Sequence, residues 1–375
     1  MRIGIITFYS ECNYGAFLQA LGSKKFLESQ GHTVEFINYC PAKDVSLILK
    51  LGLHDGTFFR KVARRYKIYI KYRLKPYCEI YLKGFADARA KFFNETEKVS
   101  EESLASLANR FDCIYVGSDQ VWNMRKSGKE KLFYFLNFFK SGKTKKVSFA
   151  ACFGQYSQPK SMKEDIKKCL SDFDAISVRN AVSFDLVKKY IGLEAPVVCD
   201  PTVLQYDFSF AESNYVTAHG LKDYILFYCL DERQKKEHAE MARFLSKKLK
   251  KKVISITSSH HTAWTLSAAD QEIFDANPMD WLNLFHNADY VYTDSFHGAI
   301  FALLYKKELL MMSKNNERAY RLIDLSKRYG MEQRMCFSVS EAQQKYASEV
   351  NYDIVIAKMN KHRDMSREFL LNVLK

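Results

Sequence analysis

Residues 288–304, Ala-Asp-Tyr-Val-Tyr-Thr-Asp-Ser-Phe-His-Gly-Ala-Ile-Phe-Ala-Leu-Leu, constrain the fold more than any other stretch. Asp289 to Thr293 reads as a short strand. Asp294 to Gly298 reads as a small polar turn around one histidine, and Ala299 to Tyr305 as an apolar helix. A strand that passes into a helix through Asp-Ser-x-His-Gly places its turn at the carboxyl edge of an α/β sheet, where such sheets bind ligands. Free backbone N–H groups at the helix start attract anions. The imidazole of His297 is a proton carrier suited to neutral pH, and Gly298 lets a ligand approach the backbone. Asp294 and Ser295 are both capping types, so the histidine is not needed as the cap. The competing reading is a histidine that fills a polar gap.

The same punctuation recurs along the chain. Ile3 to Thr7 is a β-branched strand, Tyr9 to Tyr14 a polar loop, and Gly15 opens a helix that Gly31 ends before a strand at Thr33 to Tyr39. This β-loop-α-β opening is Rossmann-like, and it lacks G-x-G-x-x-G, so no dinucleotide site is assigned. Asn13, Tyr14 and Gly15 sit at the switch from loop to helix, as a structural turn or as binding residues. Asp112 to Val116 is a strand that runs into Gly117-Ser118-Asp119-Gln120-Val121-Trp122-Asn123. Trp122 there either stacks on a sugar ring or plugs a domain boundary. Lys145 to Ala151 is a further strand. Ala175 to Arg179 ends in an arginine suited to carboxylate or phosphate, or to a surface ion pair. Pro196 to Thr202 reads as a strand ending in an Asp-Pro turn. Phe93 to Ala108 reads as a polar helix.

The later half repeats the α/β pattern: strands at Tyr224 to Cys229, Val253 to Ile256 and Leu309 to Met312, with helices at Gln234 to Leu249, Asn277 to Asn287 and Tyr320 to Tyr329. Asn315-Asn316-Glu317-Arg318 is a polar loop, and residues 350–375 form an amphipathic helix. The 375 residues therefore divide into a Rossmann-like domain over 1–195, a second over 196–349 and a terminal helix over 350–375. A helical insertion occupies about 45–108, and within it residues 56–92 interleave basic and aromatic side chains. That segment is either a solvated helix with a core stripe or a surface for an anionic membrane or acidic polymer.

A formal net charge of +14 points to an anionic partner. Nine scattered cysteines without C-x-x-C read as reduced thiols. His260-His261 lacks companions at ligand spacing, so no metal is assigned. The start Met-Arg-Ile-Gly-Ile-Ile-Thr is a strand, not a signal peptide, and the expected location is the cytoplasm, with or without peripheral attachment to the inner face of the membrane.

The opening Asn13-Tyr14-Gly15 with Gln19, then Gly117 through Asn123, Ser177-Val178-Arg179, Asp200-Pro201-Thr202 and Ala288 through Gly298 resemble, in that order, the polysaccharide pyruvyl transferase family. The resemblance implies two Rossmann-like domains facing across a cleft, a glycosyltransferase-B-like architecture; the amphipathic helix over 350–375 is expected, from its own pattern, to pack back onto the first domain. It implies transfer of the enolpyruvyl unit of phosphoenolpyruvate to a sugar of a cell-surface polysaccharide or its lipid-linked precursor, forming a pyruvate ketal. Phosphoenolpyruvate is then a substrate, no cofactor is needed, and no nucleic-acid partner is assigned. By matching position, His297 is the general acid/base and Arg179 holds the anionic donor. Asn13, Tyr14, Gly117, Ser118, Asp119, Gln120, Trp122, Asn123, Asp294, Ser295, Phe296, Gly298, Asn316 and Arg318 line the substrates. Asp294 orients the imidazole or meets a sugar hydroxyl. Two departures stand out: Ser295 replaces an arginine of some branches, and Asn180 replaces an acidic residue. Arg318, Arg321 or the helix start at Ser295 is left to supply positive charge. Two rivals share the fold: a glycosyltransferase that uses a nucleotide sugar, and a non-catalytic module for an anionic polymer or membrane.

Overall fold

The computed structural model describes residues 1–39, 77–100, 103–124, 129–154, 158–256, 266–314 and 317–375. The basic, aromatic run up to residue 76, His260-His261 and Asn316 lie outside them. So does the side chain of Arg318, whose backbone is helical.

Two parallel sheets carry the chain. The first has β1 (Arg2–Ile6), β2 (Thr33–Phe36), β3 (Cys113–Val116), β4 (Lys145–Ala151) and β5 (Ala175–Val178) in the order β2-β1-β3-β4-β5. The second has β6 (Tyr224–Tyr228), β7 (Lys252–Ile256), β8 (Gln271–Ile273), β9 (Tyr290–Thr293), β10 (Glu308–Met312) and β11 (Met335–Cys336) in the order β11-β10-β9-β6-β7-β8. The short β8 and β11 carry too few residues to show a period. Each order reverses direction once, between β1 and β3 and between β6 and β9. Such a switch point opens a crevice at the carboxyl ends of the strands.

Helices α1 (Tyr14–Ser29), α2 (Tyr77–Phe92), α3 (Leu104–Ala108), α4 (Lys163–Leu170) and α5 (Ala181–Ile191) surround the first sheet. The chain crosses over through α6 (Pro201–Gln205) and α7 (Tyr215–Ala218). Then come α8 (Lys235–Leu249), α9 (Pro278–Asn287), α10 (Phe296–Leu304), α11 (Glu317–Tyr329), α12 (Val339–Lys345) and α13 (Tyr352–Val373). The polar helix expected over 93–108 is interrupted. α2 stops at Phe92, and the following residues pair with the sheet edge through the bridges Phe36↔Glu95 and Tyr39↔Val99. The strand expected at 196–202 is only a bridge, Val178↔Val197. Asp200 is the N-cap of α6 and Pro201 its first residue, where proline's missing N–H costs nothing.

Strand alternation distributes the core. Ile3, Ile5, Cys113 and Tyr115 face one side of the first sheet, and Ile6, Ile114 and Val116 the other. In the second sheet Leu226, Val291 and Met311 face one side, and Phe227, Tyr292 and Met312 the other. The inner faces of both sheets belong to a single apolar cluster, so the domains share a core on that side. α1 runs through it with nearly every side chain buried, as a helix does when packed all round. Its Gly22 is needed for the close approach: a Cβ there would come 2.6 Å from the carbonyl oxygen of Pro201.

α13 straps the two halves together. Val355, Met359, His362, Ser366 and Leu370 make its buried stripe. Ser366 Oγ accepts from Cys199 N at 2.8 Å, and His362 Nε2 donates to Val197 O at 3.1 Å. Lys145, at the start of β4, donates to the carbonyls of Val373 and Lys375 at 3.0 and 3.1 Å. The last helix thus returns to the first domain.

Candidate active site

Three helix starts converge where the two sheets present their carboxyl edges. Asn13 caps α1, accepting from Ala16 N at 3.1 Å. Asp200 caps α6, accepting from Thr202 N and Oγ1 at 3.1 and 2.8 Å. Ser295 caps α10, accepting from Gly298 N at 3.2 Å. His297, in the first turn of α10, crosses from the second domain to the first. A Cβ added at Gly15 would stand 2.1 Å from His297 Nδ1, so only glycine admits the ring here. On its other side, His297 Nε2 lies 3.4 Å from Asp200 Oδ2 and makes no hydrogen bond to the described residues.

Asp200 is the hub. Its Oδ2 accepts from Arg179 Nη1 at 2.8 Å and from Ser118 Oγ at 3.2 Å. Arg179 Nη2 donates to Asp119 Oδ1 at 3.2 Å, and the guanidinium lies over the ring of Phe296, 4.5 Å from its centre. Burial alone would raise the Asp200 carboxyl. The His297 ring and the Arg179 guanidinium outweigh it and hold Asp200 far below the usual carboxylate range. Burial also opposes the charge of Asp119, and Arg179, His297 and Arg321 bring it below its ordinary value. For Arg179, burial is outweighed by Asp119, Cys152 and Asp200, which keep it charged.

This arrangement changes several of the roles drawn from the sequence. Arg179 is 3% exposed and faces two carboxylates, so it orders Asp119 and Asp200, while its Nε makes no hydrogen bond among the described residues. Asp294 serves the loop after β6. Its carboxylate accepts from the amides of Leu230 and Asp231 at 2.6 and 2.8 Å, and it lies 3.8 Å from His238 Nε2. Trp122 is fully buried in the outer core of the first domain. It stacks on Phe135 and donates to Tyr134 O at 2.9 Å, so it neither meets a sugar nor sits at the domain boundary. Tyr14 is fully buried too, stacked on Trp281 of the second domain with its hydroxyl donating to Ala276 O at 2.8 Å; it joins the domains.

The turn after β3 is a scaffold. Gly117 donates to Ile6 O, and Ser118 is buried, its amide donating to Gln19 Oε1 at 2.9 Å. Gln120 accepts from Asn123 Nδ2 at 3.1 Å, beside Gly154. Asn13, Asp119, Gln120 and Phe296 keep part of their surface open, while Gly298 is buried against Thr293 and Tyr228. Arg321, on α11, contributes positive charge toward Asp119. Sequence reasoning left Asp200 and Gln19 off the roster of site residues and offered Gly15 only as a turn or binding residue. Asp200 carried a signal, since Asp-Pro-Thr is also a helix N-cap pattern. Among the described residues no group of three metal-ligating side chains occurs, and no helix is long and apolar enough to cross a membrane.

Among solved structures, UDP-N-acetylglucosamine 2-epimerase from Rickettsia bellii superposes with a TM-score of 0.53 at 12% identity, over 100% of this chain and 95% of that one. Methanocaldococcus jannaschii UDP-GlcNAc 2-epimerase, in complex with UDP-GlcNAc and UDP, gives 0.51 at 16% identity, over 100% and 99%. At these identities the likeness speaks to fold, and the fold is the glycosyltransferase-B-like pair of facing α/β domains. No curated protein matches the sequence. The family model for polysaccharide pyruvyl transferase matches residues 13–316, a span that runs from the Asn13 cap through Arg179, Asp200 and His297; the chain belongs to the polysaccharide pyruvyl transferase family.

Proposed function

We propose that the protein transfers the enolpyruvyl group of phosphoenolpyruvate to two hydroxyls of a sugar in a polysaccharide or its lipid-linked precursor. The observation that carries this reading is His297, set against Asp200 at the junction of the two domains in a chain of this family. In the overall reaction a proton is added at C3 of the donor, which becomes a methyl group. One sugar oxygen bonds to C2, the C2–phosphate bond breaks, and a second sugar oxygen bonds to C2 to close the ketal. The two hydroxyl protons balance the sum: one ends on C3 and the other leaves with phosphate.

His297 handles a proton in one of these steps. Asp200 fixes the ring on its Nε2 side, and Gly15 packs against its Nδ1 side, where only glycine leaves room for it. Such acid/base help contributes about 10²–10⁴ in rate. The donor's carboxylate and phosphate need positive partners other than the matched Arg179. The starts of α1 and α10, together with Arg321, are the groups assigned to them. The donor brings the transferred group itself, so the scheme uses no separate cofactor.

A phosphate-release assay tests the proposal. Protein and phosphoenolpyruvate are incubated with free and lipid-linked galactose, mannose and N-acetylmannosamine acceptors, with products followed by mass spectrometry. Acceptor-dependent release and a pyruvate-ketal mass, both lost in His297→Ala, are expected. Stabilisation by a nucleotide sugar, with none by phosphoenolpyruvate, would instead favour a glycosyltransferase.

A further inference from the structure

Two helices that start at the active site end at a second pocket. α6 starts at Asp200 and is closed by Tyr206; α10 carries His297 in its first turn and ends at Leu304. Their far ends, with one face of α13, line a pocket of about 310 Å³. Seven residues of helix, about 10 Å, separate His297 from Leu304, so this pocket is distinct from the active site.

Val203, Leu304, Ile356 and Met359 make an apolar floor, with Val203 and Met359 each 2% exposed. Lys306 and Arg363 bring two positive charges, and no carboxylate lines the pocket among the described residues. Neither head group makes a hydrogen bond among those residues. Arg363 Nε lies 3.7 Å from the exposed carboxylate of Asp364, beyond hydrogen-bond reach. The Tyr206 ring covers the face of the guanidinium, 4.3 Å from the ring centre. The N–H edge of the fork stays open. Tyr206 is itself 55% exposed at a φ of 46°, a backbone conformation that side chains rarely adopt. Such outliers cluster where ligands bind.

Charge and surface together select the ligand. Two cations without a lining carboxylate attract an anion. The floor adds nothing for a small hydrophilic anion and gains with every methylene laid on it. The volume, at the small end of ligand pockets, suits a head group and the first carbons of a chain. We infer that this pocket binds an amphiphile: a phosphate or carboxylate head, held by Lys306 and Arg363, joined to an apolar chain that lies on the floor. The inference stands apart from the transferase reading.

Calorimetric titration with octyl phosphate, below its critical micelle concentration, tests it. The wild-type Kd should be at least about tenfold lower than for inorganic phosphate or for neutral octyl glucoside. Lys306→Asn with Arg363→Gln should raise it about tenfold. Asparagine tolerates the φ of 52° at position 306, so the unliganded melting temperature should stay near that of wild type. Arg363→Gln alone, which leaves that turn untouched, should give part of the same loss. Saturating phosphoenolpyruvate should leave the titration unchanged. No saturable binding to wild type, equal affinity in the double variant, or full competition by phosphoenolpyruvate overturns the inference. Co-sedimentation with vesicles then separates the sources. Retention on phosphatidylglycerol vesicles but not on phosphatidylcholine, weakened in the double variant, assigns the head group to a bilayer; calorimetric binding without retention assigns it to a free amphiphile.

Discussion

Two buried aspartates each lie beside a histidine, and they are not equivalent. Asp200 is 3.4 Å from His297 across the domain junction; Asp294 is 3.8 Å from His238 within the second domain. Asp294 ties down two backbone amides of the loop after β6, while His238 Nδ1 lies 3.1 Å from the Tyr292 hydroxyl. Asp200 is held by a guanidinium, a serine and its own helix start, and the ring it faces comes from the other domain. One pair closes a loop; the other presents an imidazole. Neighbourhood in sequence misleads here, because Asp294 is three residues from His297 and yet partners the other histidine.

The comparison predicts opposite outcomes for matched substitutions. His297→Ala should cut turnover by about 10²–10⁴ with little change in melting temperature. His238→Ala should do the reverse, leaving turnover near wild type and lowering the melting temperature. Steady-state phosphate release and calorimetry on both variants decide, and equal losses of turnover would erase the distinction.

Next comes Asp200→Asn, which leaves buried Arg179 facing one carboxylate. Removing a partner from such a pair costs about 3–5 kcal/mol of stability. Denaturant unfolding should show that loss, and turnover should fall with it. Asp294→Asn keeps one oxygen acceptor for two amides and should cost less, about 1–3 kcal/mol. Gly15→Ala sharpens the contrast without altering charge. The new Cβ displaces the His297 ring, and a misplacement near 1 Å costs on the order of 10² in rate. Its unfolding midpoint should move far less than its turnover.

The smallest effect at neutral pH belongs to a third buried histidine. Burial, then the nearby Arg328 charge, lowers His362 from 6.5 to about 4. The unfolded chain therefore binds the extra proton first. Stability from this group is complete above pH 6.5 and is lost as pH falls from 6.5 toward 4. Unfolding midpoints across that window should decline in wild type and flatten in His362→Gln.

Much of the fold was legible because local rules and tertiary needs agree. The β-branched run at Ile3 and the apolar runs at Val147 and Tyr224 are strands, and the Asn277-Pro278-Met279-Asp280 start of α9 is a complete capping box. His297 was legible because a strand-to-helix turn sets it at the carboxyl edge of a sheet. Asp200 was not, since Asp-Pro serves a turn and a helix cap equally well, and only the fold brings Arg179 and His297 to it. Trp122 and Tyr14 failed for a different reason. An aromatic ring that stacks on a sugar and one that stacks on Phe135 or Trp281 have the same one-letter signature.

The stack of Tyr14 on Trp281 has an optical consequence. The rings lie 5.7 Å apart at 18°, one from each domain, beside the contact of Gly15 with His297. Any hinge motion that parts the domains must wet the indole of Trp281 and shift its emission to the red, while Trp122 stays sealed in its own core. With Trp264 replaced by phenylalanine, intrinsic fluorescence becomes a gauge of closure, readable in stopped flow as donor and acceptor arrive.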